Sequence, residues 1–274
     1  MNSINTNIGA MIALQNLNAI NRDLQTTQNR ISTGLKVASA KDDGATWAIA
    51  QSQRSTVSSL DAVKESLSRN SSVVDVAMTA GESVSDLLAQ LKEKALAASD
   101  TSLDSVARSA LKNDFVAIRN QITKTLATAG FNGINLLNGS KTSIAALANA
   151  EGTSRLTVAA QNMSLGGPIV TLGANADFST ATSAAALLST LDSSINNVSA
   201  ALARLGTSSK ALDNHLTFIG KLQDTITAGI GNLVDADLAK ESARLQSLQV
   251  RQQLAIQMLS FSAQSQSWVL SLFR

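Results

Sequence analysis

The chain has 274 residues, of which 15% are charged, with a formal net charge of +2, no cysteine and one proline, Pro168. Lysines and acids are interspersed through the middle, which excludes the clustered bases of a nucleic-acid groove, and without cysteine neither a disulfide nor a thiolate metal site can form. Aromatics are 3% with no Tyr, so a core must pack on Leu, Ile, Val and Ala, and a single proline leaves long helices uninterrupted.

The start, MNSINTNIGAMIALQNLNAINRDL, has no basic n-region, and its apolar residues alternate with Asn and Gln. Any export is therefore expected by a route that cleaves no leader. A first helix is expected from about Asn5 to Ser32, with Ile8, Met11, Leu17, Ile20, Leu24 and Ile31 read as one apolar face. Leu17, Leu24 and Ile31 recur every seven residues, as in a coiled-coil seam, and Gly34 is placed to end the helix. Leu35 to Gly44 reads as a connector of mixed charge, with Lys36, Lys41, Asp42 and Asp43. A second helix should run from about Ala45 to Ala98. Thr101 followed by Asp104 reads as a capping box for a third helix that Gly130 closes.

Two Asn-Gly pairs, Asn132-Gly133 and Asn138-Gly139, signal turns. From about Lys141 to Ser179 the pattern becomes short β-like runs: Leu156 to Val158, a turn at Gly166-Gly167-Pro168, then Ile169 to Leu172. Helical spacing returns near Ala184 and continues to Ile226, with Gly229 and Gly231 expected to break it. Asp235 or Asp237 can cap a last helix from about Leu238 to the end. The expected fold is mainly α: an elongated antiparallel helical rod with coiled-coil terminal helices and a small central β-hairpin region. Its divisions are an N-terminal helix (1–34), a connector (35–44), a central domain (45–234, with the β region at about 141–179) and a C-terminal helix (235–274).

The two ends resemble each other. Asn2 to Asn21 contains no charged residue, and Ser242 to Arg274 contains no acid and only Arg244, Arg251 and Arg274 as bases. Both are rich in Asn, Gln and Ser. Charges inside a packed assembly must be desolvated at several kcal/mol each unless paired, whereas amides and hydroxyls satisfy one another. Uncharged amphipathic ends therefore point to helices that meet each other and then further copies of the chain, becoming ordered on assembly. The competing reading is an ordinary bundle whose terminal helices lie in a monomeric core. The expected subunit contacts are Ile8, Met11, Leu17, Leu24 and Ile31 with Leu245, Leu248, Leu259 and Trp268.

Catalysis finds little to use. His215 is the only histidine and stands on a helix without a nucleophile partner. Asp42-Asp43 and Asp235-Ala236-Asp237 are tight acidic groups, better suited to helix caps and connectors than to a divalent cation. Gly229-Ile230-Gly231 lacks the third glycine and the preceding strand of a dinucleotide loop. No cofactor is expected. The polar faces of the ends lack the Lys and Arg of an interfacial helix, and no run of about 18 apolar residues spans a membrane.

Several segments resemble bacterial flagellin over nearly the whole chain. Ile4-Asn5-Thr6-Asn7 followed by Leu17 is similar to the family's N-terminal pattern. RISTGLKVASAKDDGATWAIA, Arg30 to Ala50, resembles its Arg-Leu-Ser-Ser-Gly block with the following acids and small residues. Phe131-Asn132-Gly133 matches a family turn, and the tail from Asp235 to Arg274 resembles the family C-terminus.

The resemblance implies a secreted structural subunit, not an enzyme, that polymerises with itself or with other flagellins into the filament used for swimming. Paired terminal helices would form an inner tube and the long helices an outer one. Arg30, Gly34, Asp42 and Asp43 would lie in or beside the spoke between them. It also implies unfolded export through the flagellar type III apparatus under a chaperone, and growth beneath a cap protein. Large outer domains common in the family are missing. Many members present an Arg and a nearby Glu to an innate immune receptor. Here Gln90 stands in place of the Arg and Lys94 in place of a Leu, so recognition is not expected. The alternatives are a hook–filament junction protein, a coiled-coil signalling module and an unfamiliar hydrolase.

Overall fold

A computed structural model describes residues 6–271, with side chains described throughout except at 263 and 265–271. The elements in order are α1 (Ile8–Thr33), α2 (Gly44–Ala98), α3 (Ser105–Thr128), β1 (Ser143–Leu147), β2 (Arg155–Ala159), α4 (Ala181–Val234) and α5 (Leu238–Ser271). The fold is mainly α with one small antiparallel hairpin, as expected. It divides into a terminal unit, Met1–Ser55 with Thr225–Arg274, and a middle unit, Thr56–Asp224.

The middle unit is organised by heptads. Leu191, Val198, Leu205, Leu212 and Ile219 of α4 recur every seven residues and are all buried. Leu60, Leu67, Val74, Leu88 and Ala95 of α2 keep the same period, with Val63, Ala77, Val84, Leu91 and Ala98 at the alternate seam positions. The two helices run antiparallel. The Gln223 amide donates to Asp61 Oδ1 at 2.6 Å near one end, and Lys92 pairs with Asp192 near the other. Between them, a Cβ on Gly81 would lie 2.8 Å from Leu202 Cδ2. The Leu202 and Met163 side chains thus fill the space that a larger residue at this seam position would take.

Several local expectations are corrected. Helix α1 starts at Ile8 rather than about Asn5, because Asn7 is its cap and accepts from the Ala10 N–H at 2.9 Å. Asp104, not Thr101, caps α3 and accepts from the Ala107 N–H at 2.6 Å. Arg108 fixes the preceding turn by donating to the carbonyls of Ala98, Asp100 and Leu103. Gly130 does not close α3. The helix ends at Thr128, and the buried Asn135 amide donates to the Leu126 carbonyl at 2.7 Å.

The β region also differs from expectation. Leu156 to Val158 is a strand, but its partner is Ser143–Leu147, with Ile144 opposite Val158. Residues Ile169 to Leu172 form no strand. Ile169, Val170 and Leu172 are buried in a loop that the α4 side chains hold: Ser194 Oγ accepts from the Thr171 N–H, and Asn197 donates to the Ile169 carbonyl. Apolar composition drives burial there, while its backbone is satisfied by α4 side chains and by the Gly166 N–H, which donates to the Leu172 carbonyl at 2.7 Å, instead of a ladder. His215 has a structural role, its Nε2 donating to the Ala148 carbonyl at 2.8 Å.

Gly229 and Gly231 do not break α4, which continues to Val234 with the Asp235 N–H donating to the Gly231 carbonyl at 2.8 Å. Each glycine weakens a helix by about 1 kcal/mol. Burial of Ile230 and Val234 in the terminal unit offsets that loss.

Candidate assembly surface

In the terminal unit α1 and α5 lie antiparallel, joined by polar rungs along their length. The Asn7 amide donates to the Ser262 carbonyl at 2.9 Å. Gln252 donates to Asn21 Oδ1 at 2.7 Å. Arg30 donates to Glu241 Oε1 at 3.1 Å, the only ion pair of this unit among the described residues. Two of the three rungs are uncharged, as the composition of the ends required. Glu241 is 8% exposed and its Oε2 has no partner. It was not singled out by sequence, although it is the last acid before the acid-free tail.

The apolar residues divide between two destinations. Leu24 and Leu248 are buried, and Leu17, Ile31, Leu245 and Leu259 are half-buried. These form the seam within the pair. Ile8 (63% exposed) and Met11 do not share that face. At 3.6 residues per turn, Ile8 stands opposite Leu17 on the helix, so the reading of a single apolar face is corrected to two. The Trp268 side chain lies outside the described residues.

More exposed apolar side chains accompany Ile8 and Met11: Ile12 and Leu14 on α1, and Leu238, Val250, Leu254, Ile256, Met258 and Phe261 (73% exposed) on α5. These residues fall outside a single 3/4 face. Their signal was apolar character on more than one side of a helix, which marks a helix buried all round. Several of them line a groove of about 670 Å3 along the pair, from Gly9 and Ile12 to Met258 and Phe261.

The connector is tightly hydrogen-bonded. Gly34 caps α1 in the left-handed region (φ 71°), its N–H donating to the Arg30 carbonyl at 2.9 Å. Only glycine adopts this conformation freely. The N–H groups of Lys36 and Val37 donate to the Val234 carbonyl, and the Ala236 N–H donates to the Gly34 carbonyl. Both strands of connecting chain are thereby tied together. Asp42 Oδ2 accepts from the N–H groups of Ala38 and Ser39 and from the Ser39 hydroxyl. Asp43 caps α2, accepting from the N–H groups of Ala45 and Thr46 and from the Thr46 hydroxyl. The Ser39 N–H holds Asp42, and the Thr46 N–H holds Asp43, below the usual carboxylate range. Asp237, rather than Asp235, caps α5 through the N–H groups of Ala239 and Lys240.

No group of three or more His, Asp or Glu able to hold a metal occurs among the described residues. None of the described helices is long and apolar enough to cross a membrane.

Comparison with known proteins agrees with an assembly role. Residues 4–142 match the bacterial flagellin N-terminal helical region, and residues 188–273 match the bacterial flagellin C-terminal helical region. Flagellin FljK of Caulobacter vibrioides is 55% identical over 274 residues, covering 100% of this chain and 99% of its own. Flagellin FljM of the same organism is 54% identical with the same coverage. A flagellin of Brucella melitensis is 35% identical over the full length of both chains.

Among solved structures, a Bacillus cereus flagellin has a TM-score of 0.50 at 19% identity, covering 56% of this chain and 88% of its own. A Vibrio parahaemolyticus chain described as a flagellar hook-associated protein has a TM-score of 0.60 at 14% identity, covering 71% of this chain and 100% of its own. Both share the fold alone, and nothing in the full-length relatives favours the hook-junction alternative. The chain belongs to the bacterial flagellin family and is a structural subunit of the secreted, extracellular flagellar filament.

Proposed function

We propose that the α1–α5 pair is the polymerising element, ordered by contact with neighbouring copies, and that residues 45–234 carry the outer wall. In this reading 1–34 and 235–274 form the inner tube and 35–44 the spoke, with Arg30, Gly34, Asp42 and Asp43 fixing its geometry. The observation that carries it is the set of exposed large apolar side chains on both helices, Ile8, Met11, Leu254, Met258 and Phe261 among them. Full burial of each contributes about 2 kcal/mol. Leu17, Leu24, Ile31, Leu245, Leu248 and Leu259 hold the pair together. A filament of such subunits requires a heterologous contact whose rotation does not close, which generates a helical polymer.

The test is elongation from filament seeds by full-length protein carrying Met258→Ser with Phe261→Ser, read by negative-stain microscopy. Short or absent filaments are expected, with thermal unfolding of the middle unit unchanged. Filaments of ordinary length would remove this face from the interface.

Family membership further supports unfolded type III export with a chaperone, growth beneath a cap and hook-junction proteins at the base, and co-polymerisation with other flagellins. It supports no enzymatic role. Gln90 is exposed, and Lys94 is engaged by Asp114 at 3.3 Å. Innate immune recognition is therefore not expected, and stimulation of receptor reporter cells at nanomolar protein would overturn that reading.

A further inference from the structure

A second groove of the terminal unit has the opposite chemistry to the first. It encloses about 600 Å3 beside α1 and the connector, lined by Arg22, Arg30, Lys36 and Lys41, with Asp42 as its one carboxylate. Arg30 is matched by Glu241. Lys36 acts on Asp43, and the Asp42 oxygen is occupied by loop donors. Arg22 and Lys41 have no ion pair among the described residues. A cleft so polar does not suit an apolar helix. It suits carboxylates.

Such carboxylates stand on α2. Asp75, Glu82, Asp86 and Glu93 are separated by seven, four and seven residues, which places them within about 20° of one line on a helix and spreads them over about 27 Å. All four are exposed, and none is ion-paired among the described residues. The nearby bases Lys92 and Lys94 are taken by Asp192 and Asp114.

We propose that the basic cleft receives the acidic line of α2 from a second copy of the chain. The inference rests on the assembly reading, since an open helical polymer joins two different patches of one sequence at every contact. The charges without an ion pair among the described residues, Arg22 and Lys41 in the cleft and the four acids on α2, are opposite in sign. Complementary charges of this kind set the register and speed of association more than its strength. Apolar burial along α1 and α5 supplies the strength, and the cleft selects the register in which a subunit adds.

The experiment is a charge swap in full-length protein, with elongation rate measured on seeds of the same variant. Arg22→Glu with Lys41→Glu is expected to slow elongation about tenfold, and Glu82→Lys with Asp86→Lys by a similar factor, both effects shrinking at high salt. The four changes together should restore the rate to within about threefold of the original, a recovery that a misfolded variant cannot give. Circular dichroism of each monomer, expected unchanged, separates lost contact from lost fold. A quadruple variant no faster than either pair would overturn the proposal. So would an acidic-line variant that elongates normally while the cleft variant does not, which would assign the cleft to another anionic partner. Ordinary elongation by both pairs would also overturn it, while the Met258 and Phe261 test of the polymerising face stands or falls separately.

Discussion

Leu205 in α4 is 1% exposed, whereas Leu254 in α5 is 54% exposed. Both lie on long helices with antiparallel partners, yet the middle unit buries nearly every seam position and the terminal pair leaves much of its apolar surface open. The difference lies in what else the sequence supplies. The middle unit brings α3, the β1–β2 hairpin and the 166–172 loop against its helices, with Phe115 and Phe178 in edge-to-face contact at 5.2 Å. Among the described residues no such layer accompanies α1 and α5, and α1 carries no charge before Arg22 while α5 carries no acid after Glu241. On the proposed reading, the contrast separates a fold that is complete in one chain from one that neighbouring copies would finish.

Removing Ser262 to Arg274 should break the contrast most severely. Seeded elongation is expected to stop, while circular dichroism still reports a helical middle unit that melts cooperatively. Next in size, Leu88→Ala or Leu205→Ala should destabilise the middle unit by about 2–5 kcal/mol, measured by denaturant unfolding of the monomer. The same truncation at the exposed Leu254 should leave that unfolding curve in place and reduce only filament growth. Arg30→Ala leaves the buried Glu241 carboxylate unmatched and should weaken the terminal unit by about 2–3 kcal/mol. Faster disassembly of heated filaments is the expected readout, with Arg30→Lys recovering part of it.

The α1–α5 pairing was legible because Leu17, Leu24 and Ile31 keep a strict period and because charge is missing at both ends. Its outer face was less legible. Ile8 and Met11 fit a loose 3/4 count, and only their placement on the helix shows that they point away from Leu17. Gly229 and Gly231 misled because propensity is a weak local term that tertiary burial overrides. The β1 strand was hidden by Ala145 and Ala146, which favour helix, and the loop at Ile169 to Leu172 imitated a strand through burial alone. Glu241 was invisible as a site residue, since its importance depends on Arg30 arriving 211 positions away in the chain.

The smallest effect expected is that of acid on the connector. Asp42 and Asp43 have carboxyl pKa values lowered by the loop donors. Their contribution is complete above the ordinary carboxylate value of 3.8 and is lost as pH falls through the lowered values. Amide protection factors of residues 36–47, measured against the intrinsic rate at each pH, should hold at mildly acidic pH and fall only below that value. The α1–α5 rungs at Asn7 and Asn21 should show no such dependence.

Amide hydrogen exchange compared between monomer and filament measures the central difference directly. Residues 8–30 and 245–262 should exchange rapidly in the monomer while 60–95 and 191–219 remain protected, and the terminal segments should become slow only in the filament. Strong protection of residues 8–30 before any polymer forms would contradict the account, because the pair would then be complete without its neighbours.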